Sequence, residues 1–132
     1  MSVSKLAKVG FRKIGCWSLR EERPEYELDA EKMTYNVLYS FVSGTEILYI
    51  GKTSIALRDR MYQYQRPGPS QRTNIRVNAA ISKMLKTGST VDVHALPDPG
   101  DMEYKGFHLN LAAGLEDSLI RELKPTWNKT GK

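Results

Sequence analysis

Two tyrosines ten positions apart are the first residues whose types and spacing could serve chemistry. Tyr39 ends a Val-Leu-Tyr triplet and Tyr49 begins a Tyr-Ile-Gly triplet, and each triplet lies in an apolar run typical of a β-strand. Side chains an even number of positions apart share a face of a strand, and antiparallel partners across a tight turn lie side by side. We therefore expect the two hydroxyls to converge, where they could hydrogen-bond a common group.

Further polar side chains follow the tyrosines in order along the chain, and they are Lys52, Arg60, Tyr64, Glu116 and Asn128. Arg60 and Tyr64 are four positions apart, so on a helix they would share one face. Glu116 lies beside the apolar positions 115, 119 and 123 of a predicted helix, which would hold its carboxylate at the edge of the core. The set thus combines hydroxyls, cations and one carboxylate on segments that a fold could bring together.

Gly51-Lys52-Thr53 after an apolar strand resembles the end of a phosphate-cradling P-loop, but the match fails. Such a loop needs a glycine five positions before its final Gly-Lys, where backbone N–H groups begin to wrap the phosphates. That position holds Glu46, and residues 47–50 are apolar and strand-like. A nucleotide-binding loop is therefore not expected.

The order and spacing of these motifs resemble the GIY-YIG nuclease superfamily, especially its small stand-alone bacterial and phage members, over about residues 35–128. Val-Leu-Tyr replaces the family's first triplet, while Tyr-Ile-Gly is intact. Leu57-Arg-Asp-Arg60 resembles the family's Leu-x-x-Arg element, and residues 114–128 resemble its catalytic helix and tail. Arg60 lies eleven positions after Tyr49, one more than in many relatives, so Arg58 stays a second candidate for that arginine.

The resemblance implies an endonuclease that hydrolyses phosphodiester bonds with one divalent metal ion. The catalytic residues that it implies are Tyr39, Tyr49, Lys52, Arg60, Tyr64, Glu116 and Asn128. Glu116 would be the metal ligand, and a single carboxylate suits a hard ion such as Mg²⁺, or Mn²⁺ in its place. Arg60 could stabilise the charged phosphate through two parallel hydrogen bonds.

The resemblance also makes Tyr39 the general base of the reaction. An unperturbed tyrosine titrates near ~10, so it would be mostly protonated at neutral pH. We therefore expect the pKa of Tyr39 to be lowered by Lys52, Arg60 and the metal ion, which have the right charge to favour a phenolate.

Positive charge is concentrated in the middle of the chain. Residues 52–90 hold eight basic side chains and one acidic, whereas residues 1–51 are balanced and residues 91–132 carry an acidic excess. A field of that sign suits a polyanion, and double-stranded DNA is the expected partner. The candidate contact residues are Arg58, Arg66, Gln71, Arg72, Asn74 and Arg76. Two alternatives remain: a solvated helical face, or a non-catalytic nucleic-acid-binding module that uses the basic segment 52–86.

The helices and strands that the sequence predicts around these residues indicate an α+β fold. We expect a small central antiparallel sheet of three strands flanked by helices, in the order β-β-α-α-β-α, within a nuclease domain at residues 35–132. The predicted elements are a hairpin at 36–50, helices at 57–64, 74–87 and 111–123, and a strand at 91–96. Thr73 or Asn74 would cap the second helix, and Ile75, Ala79, Ser82 and Leu85 would face the core.

Residues 1–34 are predicted to form an N-terminal arm that packs on the domain. A strand near residues 10–19 could join the sheet, and the acidic stretch 21–31 is typical of a turn. A length of 132 residues suits one domain in all, with no obvious second DNA-binding unit. Strict site specificity would therefore need a homodimer or a partner protein.

The expected cellular compartment of the protein follows from features that the sequence lacks. Cys16 is the single cysteine, so no disulfide can form within the chain, and a reducing cytoplasm is expected. The sequence contains no apolar run of the ~18 residues that a membrane helix needs, and its N-terminus has no signal-peptide core. We therefore expect no membrane partner.

Overall fold

The protein is built on an antiparallel sheet of five strands, within the residues 2–98, 100 and 102–128 that the computed structural model describes. The strands are β1 (Arg12–Arg20), β2 (Arg23–Leu28), β3 (Val37–Ser43), β4 (Glu46–Thr53) and β5 (Val91–Pro97). They lie in the order β2-β1-β5-β3-β4, so β3 is hydrogen-bonded on both sides, by β4 and by β5. Strands β2 and β4 form the two edges.

Helices cover both faces of this sheet. They are α1 (Ser2–Val9), α2 (Leu57–Gln65), α3 (Arg72–Lys86) and α4 (Leu111–Leu123). Buried side chains of α2 and α3 belong to one apolar cluster, and those of α1 and α4 belong to another. A short ribbon, β6 (Glu103–Tyr104) and β7 (Phe107–His108), precedes α4. None of the described helices is long and apolar enough to cross a membrane.

Strand β3 forms the boundary between the two apolar clusters. Its residues 37–42 are all buried, because one face packs under α2 and α3 and the other under α1 and α4. Val37, Tyr39 and Phe41 point to the first cluster, and Leu38 and Val42 point to the second. Alternation of side chains along a strand makes this assignment strict, since a slip of one residue would exchange the two sets.

The α+β class is confirmed, and β3 to α4 follow the predicted order once the β6–β7 ribbon is set aside. The predicted strand count is wrong, because the N-terminal segment adds both β1 and β2 to the sheet. The stretch expected to be a turn contains β2. Glu21 and Glu22 take positive φ angles of 53° and 66°, and this two-residue turn folds β2 back along β1.

Helix α3 begins earlier and faces differently than the sequence predicts. It starts at Arg72, so Asn74 lies inside the helix and is buried rather than capping it. The buried face carries Asn74, Val77 and Ile81, while Ile75 is 42% exposed. Asn74, Val77 and Ile81 follow the i, i+3, i+7 spacing of one helix face, and packing of that face on the sheet leaves Ile75 on the outer side.

The backbone of each edge strand is hydrogen-bonded to a side-chain amide. Along β4, the backbone N–H of Trp127 donates to the Leu48 carbonyl at 2.6 Å, and the Asn128 amide exchanges two hydrogen bonds of 2.9 Å with the backbone of Ile50. Along β2, the backbone N–H of Tyr26 donates to the Gln65 side chain at 3.2 Å. These contacts satisfy edge groups that would otherwise face water or another chain.

Gly15 lies where β1 and β2 approach closely, and a Cβ there would overlap the Glu27 carbonyl oxygen and lie 3.0 Å from the Leu28 Cα. We expect Gly15→Ala to lower the free energy of unfolding by about 1–3 kcal/mol, since the two strands must separate. Gly114→Ala is the matched control. That glycine lies on α4 with no atom within 4 Å of an added Cβ, so alanine should raise stability by about 0.5–1 kcal/mol. Urea unfolding measures both, and equal stabilities would contradict the prediction.

Candidate active site

Three tyrosine hydroxyls and one guanidinium meet beneath α2. The Tyr39 and Tyr64 hydroxyls are 2.6 Å apart, and the Tyr64 hydroxyl lies 3.3 Å from that of Tyr49. Arg60 donates from Nε to the Tyr39 hydroxyl at 3.0 Å and from Nη2 to the Tyr64 hydroxyl at 3.1 Å. We call these four residues the hydroxyl cluster. The predicted convergence of Tyr39 and Tyr49 is therefore observed, with Tyr64 as the residue that links them.

The four members of the hydroxyl cluster come from three elements of the fold. Tyr39 comes from β3 and Tyr49 from β4, while Arg60 and Tyr64 lie one turn apart on α2. The Arg60 guanidinium also donates from Nη1 to the Gln63 side chain at 2.8 Å and lies 4.8 Å from the centre of the Tyr64 ring. Arg60 is therefore held on several sides before any substrate arrives.

Gly51 gives the Tyr39 ring the space that it occupies. The two residues are directly paired between β3 and β4, and a Cβ on Gly51 would lie 2.6 Å from both Cζ and Oη of Tyr39. That separation is too short for any side chain, so only glycine allows the ring to lie across the neighbouring strand. The glycine of the Tyr-Ile-Gly triplet thus has a physical role in positioning the Tyr39 hydroxyl.

Burial dominates the protonation of the tyrosines. Tyr39 is fully buried, and this raises its pKa above the ordinary value, although the Arg60 cation works in the opposite direction. Burial thus outweighs the Arg60 cation, so the side chains alone do not lower the Tyr39 pKa as expected. Burial likewise raises the pKa of Tyr64, and the neighbouring Tyr39 adds to the effect. Burial opposes the charge on Arg60, but Tyr39 and Tyr64 outweigh it and raise the Arg60 pKa, so the guanidinium stays cationic.

Glu116 is a half-buried carboxylate on α4. Burial raises its pKa, and the cations Lys52 and Arg60 oppose that rise. Arg60 therefore acts electrostatically on Glu116 as well as on Tyr39. Lys52 lies on β4 opposite Leu38, which places it one residue beyond Gly51. Leu38 belongs to the second apolar cluster, so Lys52 and α4 lie on the face of the sheet opposite Tyr39, and the Arg60 charge is what connects Glu116 to the hydroxyl cluster.

The donors near Glu116 determine which ion could bind. Within the described ranges, no group of three or more His, Cys, Asp or Glu side chains could hold a metal. Glu116 would instead offer one carboxylate, with the remaining ligands coming from water and from substrate oxygens. Such an all-oxygen set fits Mg²⁺ or Mn²⁺ and does not fit the nitrogen and sulfur preference of zinc.

The Asn128 amide is committed to the backbone rather than to the hydroxyl cluster. Its oxygen accepts from the Ile50 N–H and its nitrogen donates to the Ile50 carbonyl, each at 2.9 Å. Ile50 lies between Tyr49 and Gly51, so Asn128 fixes the part of β4 that carries both. It is thus a positioning residue in this structure.

The residues expected to bind nucleic acid fall into separate places. Arg58 is exposed on α2, where its side chain is 3.6 Å from Asp59, and it lies outside the hydroxyl cluster. Arg66 lines a cleft of about 570 Å³ together with Arg20 and Arg23. Asn74 is only 5% exposed, so its side chain is not accessible for the predicted contact with nucleic acid.

Gln71, Arg72 and Arg76 lie around the start of α3. The Gln71 side chain accepts a hydrogen bond from the Gly68 N–H at 2.8 Å. Arg72 and Arg76 line a second cleft, of about 410 Å³, together with Tyr49, Thr73 and Asn128. This cleft therefore adjoins the hydroxyl cluster at Tyr49.

Two groups that accept hydrogen bonds from arginines of the site were not predicted from the sequence. Gln63 accepts from Arg60, and its position three residues later on the same helix face was a signal that could have identified it. The Trp127 carbonyl accepts from Arg76 Nη1 at 2.6 Å. A backbone carbonyl has no sequence signal, so this contact could not have been found without the fold.

Solved structures of two endonucleases have the same architecture. A mutant of bacteriophage T4 EndoII matches with a TM-score of 0.75 and 24% sequence identity, over 97% of this chain and 98% of that chain. Restriction endonuclease HPY188I, in complex with product DNA, matches with a TM-score of 0.55 and 19% identity, over 92% of this chain and 80% of that chain. The chain has the fold of these endonucleases. No family model matches the sequence, and no curated protein does.

The buried Tyr64 hydroxyl should make stability depend on alkaline pH. The unfolded chain releases the phenolic proton near ~10, whereas the folded chain retains it because burial raises the Tyr64 pKa. Above that pH unfolding releases a proton, so rising pH favours unfolding. We expect Tyr64→Phe to be less stable than the wild type at pH 8, with the gap narrowing above pH ~10 by up to about 1.4 kcal/mol per pH unit.

Urea unfolding at a series of pH values measures this gap. Tyr62→Phe is the matched control, because it removes a hydroxyl from the same helix at a side chain that is 51% exposed. An equal narrowing in both variants would contradict the role assigned to Tyr64.

Proposed function

We propose that the protein is a GIY-YIG endonuclease that hydrolyses phosphodiester bonds of double-stranded DNA with one divalent metal ion held by Glu116. The observation that carries this proposal is the hydroxyl cluster, in which Arg60 hydrogen-bonds both Tyr39 and Tyr64 while opposing the rise of the Glu116 pKa. A fixed cation, hydroxyls and a half-buried carboxylate that responds to that cation are groups that hydrolysis of a phosphodiester can use. The fold shared with two endonucleases supports the same conclusion.

Arg60 has the geometry to stabilise the phosphate. A guanidinium presents donors in a planar fork, and it can bind two phosphate oxygens at once. Its pKa is raised by the neighbouring tyrosines, so its charge persists at any working pH. Positive charge held ready at the phosphate lowers the barrier, because negative charge builds on those oxygens in the transition state. Lys52 would add a second cation from β4.

Tyr39 is the proposed general base. As a phenolate it would take a proton from water; the resulting hydroxide would attack phosphorus, and the bond to the leaving oxygen would break. Arg60 Nε and the Tyr64 hydroxyl both lie within hydrogen-bond distance of the Tyr39 oxygen, and both favour the phenolate. Burial works against it, so the active fraction at neutral pH is small.

Glu116 would hold the metal ion through its carboxylate oxygens. When bound, Mg²⁺ or Mn²⁺ would add positive charge at the phosphate and lower the pKa of a bound water. Lys52 and Arg60 favour the charged form of Glu116, which is the form that a metal needs. The carboxylate is half-buried at the edge of α4, so it can be rigid and still accessible.

Double-stranded DNA is the proposed substrate, for two reasons. The basic residues of the chain are concentrated in segment 52–86, and this segment supplies Arg60, Arg72 and Arg76. The structure of HPY188I contains product DNA. A second copy or a partner protein would supply strict site specificity, since a single small domain contacts few base pairs. The competing proposal, a non-catalytic binding module, shares the basic segment and differs in not needing the carboxylate.

Replacement of the metal ligand separates these two proposals. We expect Glu116→Gln to lower the cleavage rate of supercoiled plasmid by about a hundredfold or more, because it removes the charged ligand. EDTA should stop wild-type cleavage, and Mg²⁺ or Mn²⁺ should restore it. Glu122→Gln, at an exposed position on the same helix, is the matched control and should cut like the wild type. Salt-sensitive binding without cleavage by the wild type would favour the binding module.

Replacement of the base tests the role of Tyr39. We expect Tyr39→Phe to lose cleavage by about a hundredfold or more, because it removes the proton acceptor together with its hydrogen bonds to Arg60 and Tyr64. It should still bind DNA, since every basic residue is kept. The wild-type rate should rise about tenfold per pH unit between about pH 7 and pH 9, since burial raises the Tyr39 pKa above its ordinary value. Tyr35→Phe, at a side chain 60% exposed, is the control. A rate plateau below pH 8 would contradict the assignment.

A further inference from the structure

A cationic cleft begins where the hydroxyl cluster ends. Its volume is about 410 Å³, and it is lined by Tyr49, Arg72, Thr73, Arg76 and Asn128, a set that we call the arginine cleft. Tyr49 belongs to both, because its hydroxyl lies 3.3 Å from that of Tyr64 while its side chain lines the cleft. A molecule bound at the hydroxyl cluster could therefore extend directly into this cleft.

The two arginines of the arginine cleft differ in how they are held. Arg76 Nη1 donates to the Trp127 carbonyl at 2.6 Å, which fixes the guanidinium and leaves its other donors available. Arg72 is exposed, and in the described part of the chain it has neither an ion pair nor a side-chain hydrogen bond. The first turn of α3 contains no acidic residue. The guanidinium groups of Arg72 and Arg76 thus line the same cleft, and no carboxylate of the described residues forms an ion pair with either.

The lining favours a phosphate over a base. A base would need an aromatic face for stacking, but Tyr49 is only 7% exposed. The other side chains offer guanidinium groups, the Thr73 hydroxyl and the Asn128 amide, and two guanidinium forks match the oxygens of a phosphate. The amide of Asn128 is already bonded to Ile50, so the arginines and Thr73 remain as the binding groups.

We propose that the arginine cleft binds the phosphate adjacent to the scissile one on the same strand, with Arg72 and Arg76 as its ligands. This inference rests on the proposed function, because the scissile phosphate is assigned to Arg60. It adds that the enzyme holds a strand at two successive phosphates, which orients the attacked bond relative to Tyr39. A substrate without the second phosphate loses that orientation and is cut slowly.

The test pairs a protein change with a DNA change. A duplex that the wild type cuts is prepared with one neutral methylphosphonate at each phosphate flanking the cut, one position at a time. We expect one position to slow the wild type by about tenfold or more, as charged hydrogen bonds are lost. Arg72→Ala should slow cleavage of unmodified DNA by a similar factor. The variant acting on that modified duplex should be little slower than either change alone.

Arg72→Ala should leave the fold intact, because the side chain is exposed and has no ion pair or side-chain hydrogen bond with the residues that the structure describes. Arg12→Ala, at an exposed arginine on β1, is the control for loss of one positive charge, and its effect should multiply with the methylphosphonate at every position. Cleavage in which the Arg72→Ala effect also multiplies at every position would overturn the cleft assignment alone. No cleavage of any duplex by the wild type would overturn the endonuclease proposal and this inference together.

Discussion

The structure depends on one constraint, which is the burial of β3 on both faces at the centre of the sheet. Because β3 is hydrogen-bonded on each side and covered by helices above and below, its side chains have no freedom to exchange faces. Tyr39 is therefore fixed under α2, where Gly51 makes room for its ring. Arg60 and Tyr64 then reach one hydroxyl from a single helix turn. The apolar packing of β3 thus determines where the side chains of the hydroxyl cluster lie.

Sequence patterns were sufficient to predict a helix or strand wherever the local periodicity and the turn residues indicate the same element. The hairpin around Gly44 follows from two apolar runs joined by a glycine turn, and the helix Leu111–Leu123 follows from the apolar stripe that ends before Pro125. The hairpin and the helix are local features, so they need no knowledge of what packs against them. The meeting of Tyr39 with Tyr49 also requires the register shift between Phe41 and Val42, which places Tyr49 opposite Phe41 and so on the face of Tyr39.

Features that depend on tertiary contacts were not predictable. Strand β2 is rich in glutamate, a poor strand former, and it forms because β1 pairs with it and Tyr26 packs against Trp17. The inward face of α3, which carries Val77 and Ile81, is set by its packing against the sheet, and that contact is not visible in the sequence. The pKa of Tyr39 was misjudged for a related reason: the cations near it are visible in the sequence, whereas full burial of its ring is not.

The amides at the two sheet edges limit how copies of this protein can associate. Asn128 acts as a short piece of an additional strand on β4, and Gln65 occupies a backbone donor of β2. Another chain that extended the sheet at either edge would first have to displace one of these side chains and leave its amide unbonded. Growth of a continuous intermolecular sheet is therefore opposed at both ends.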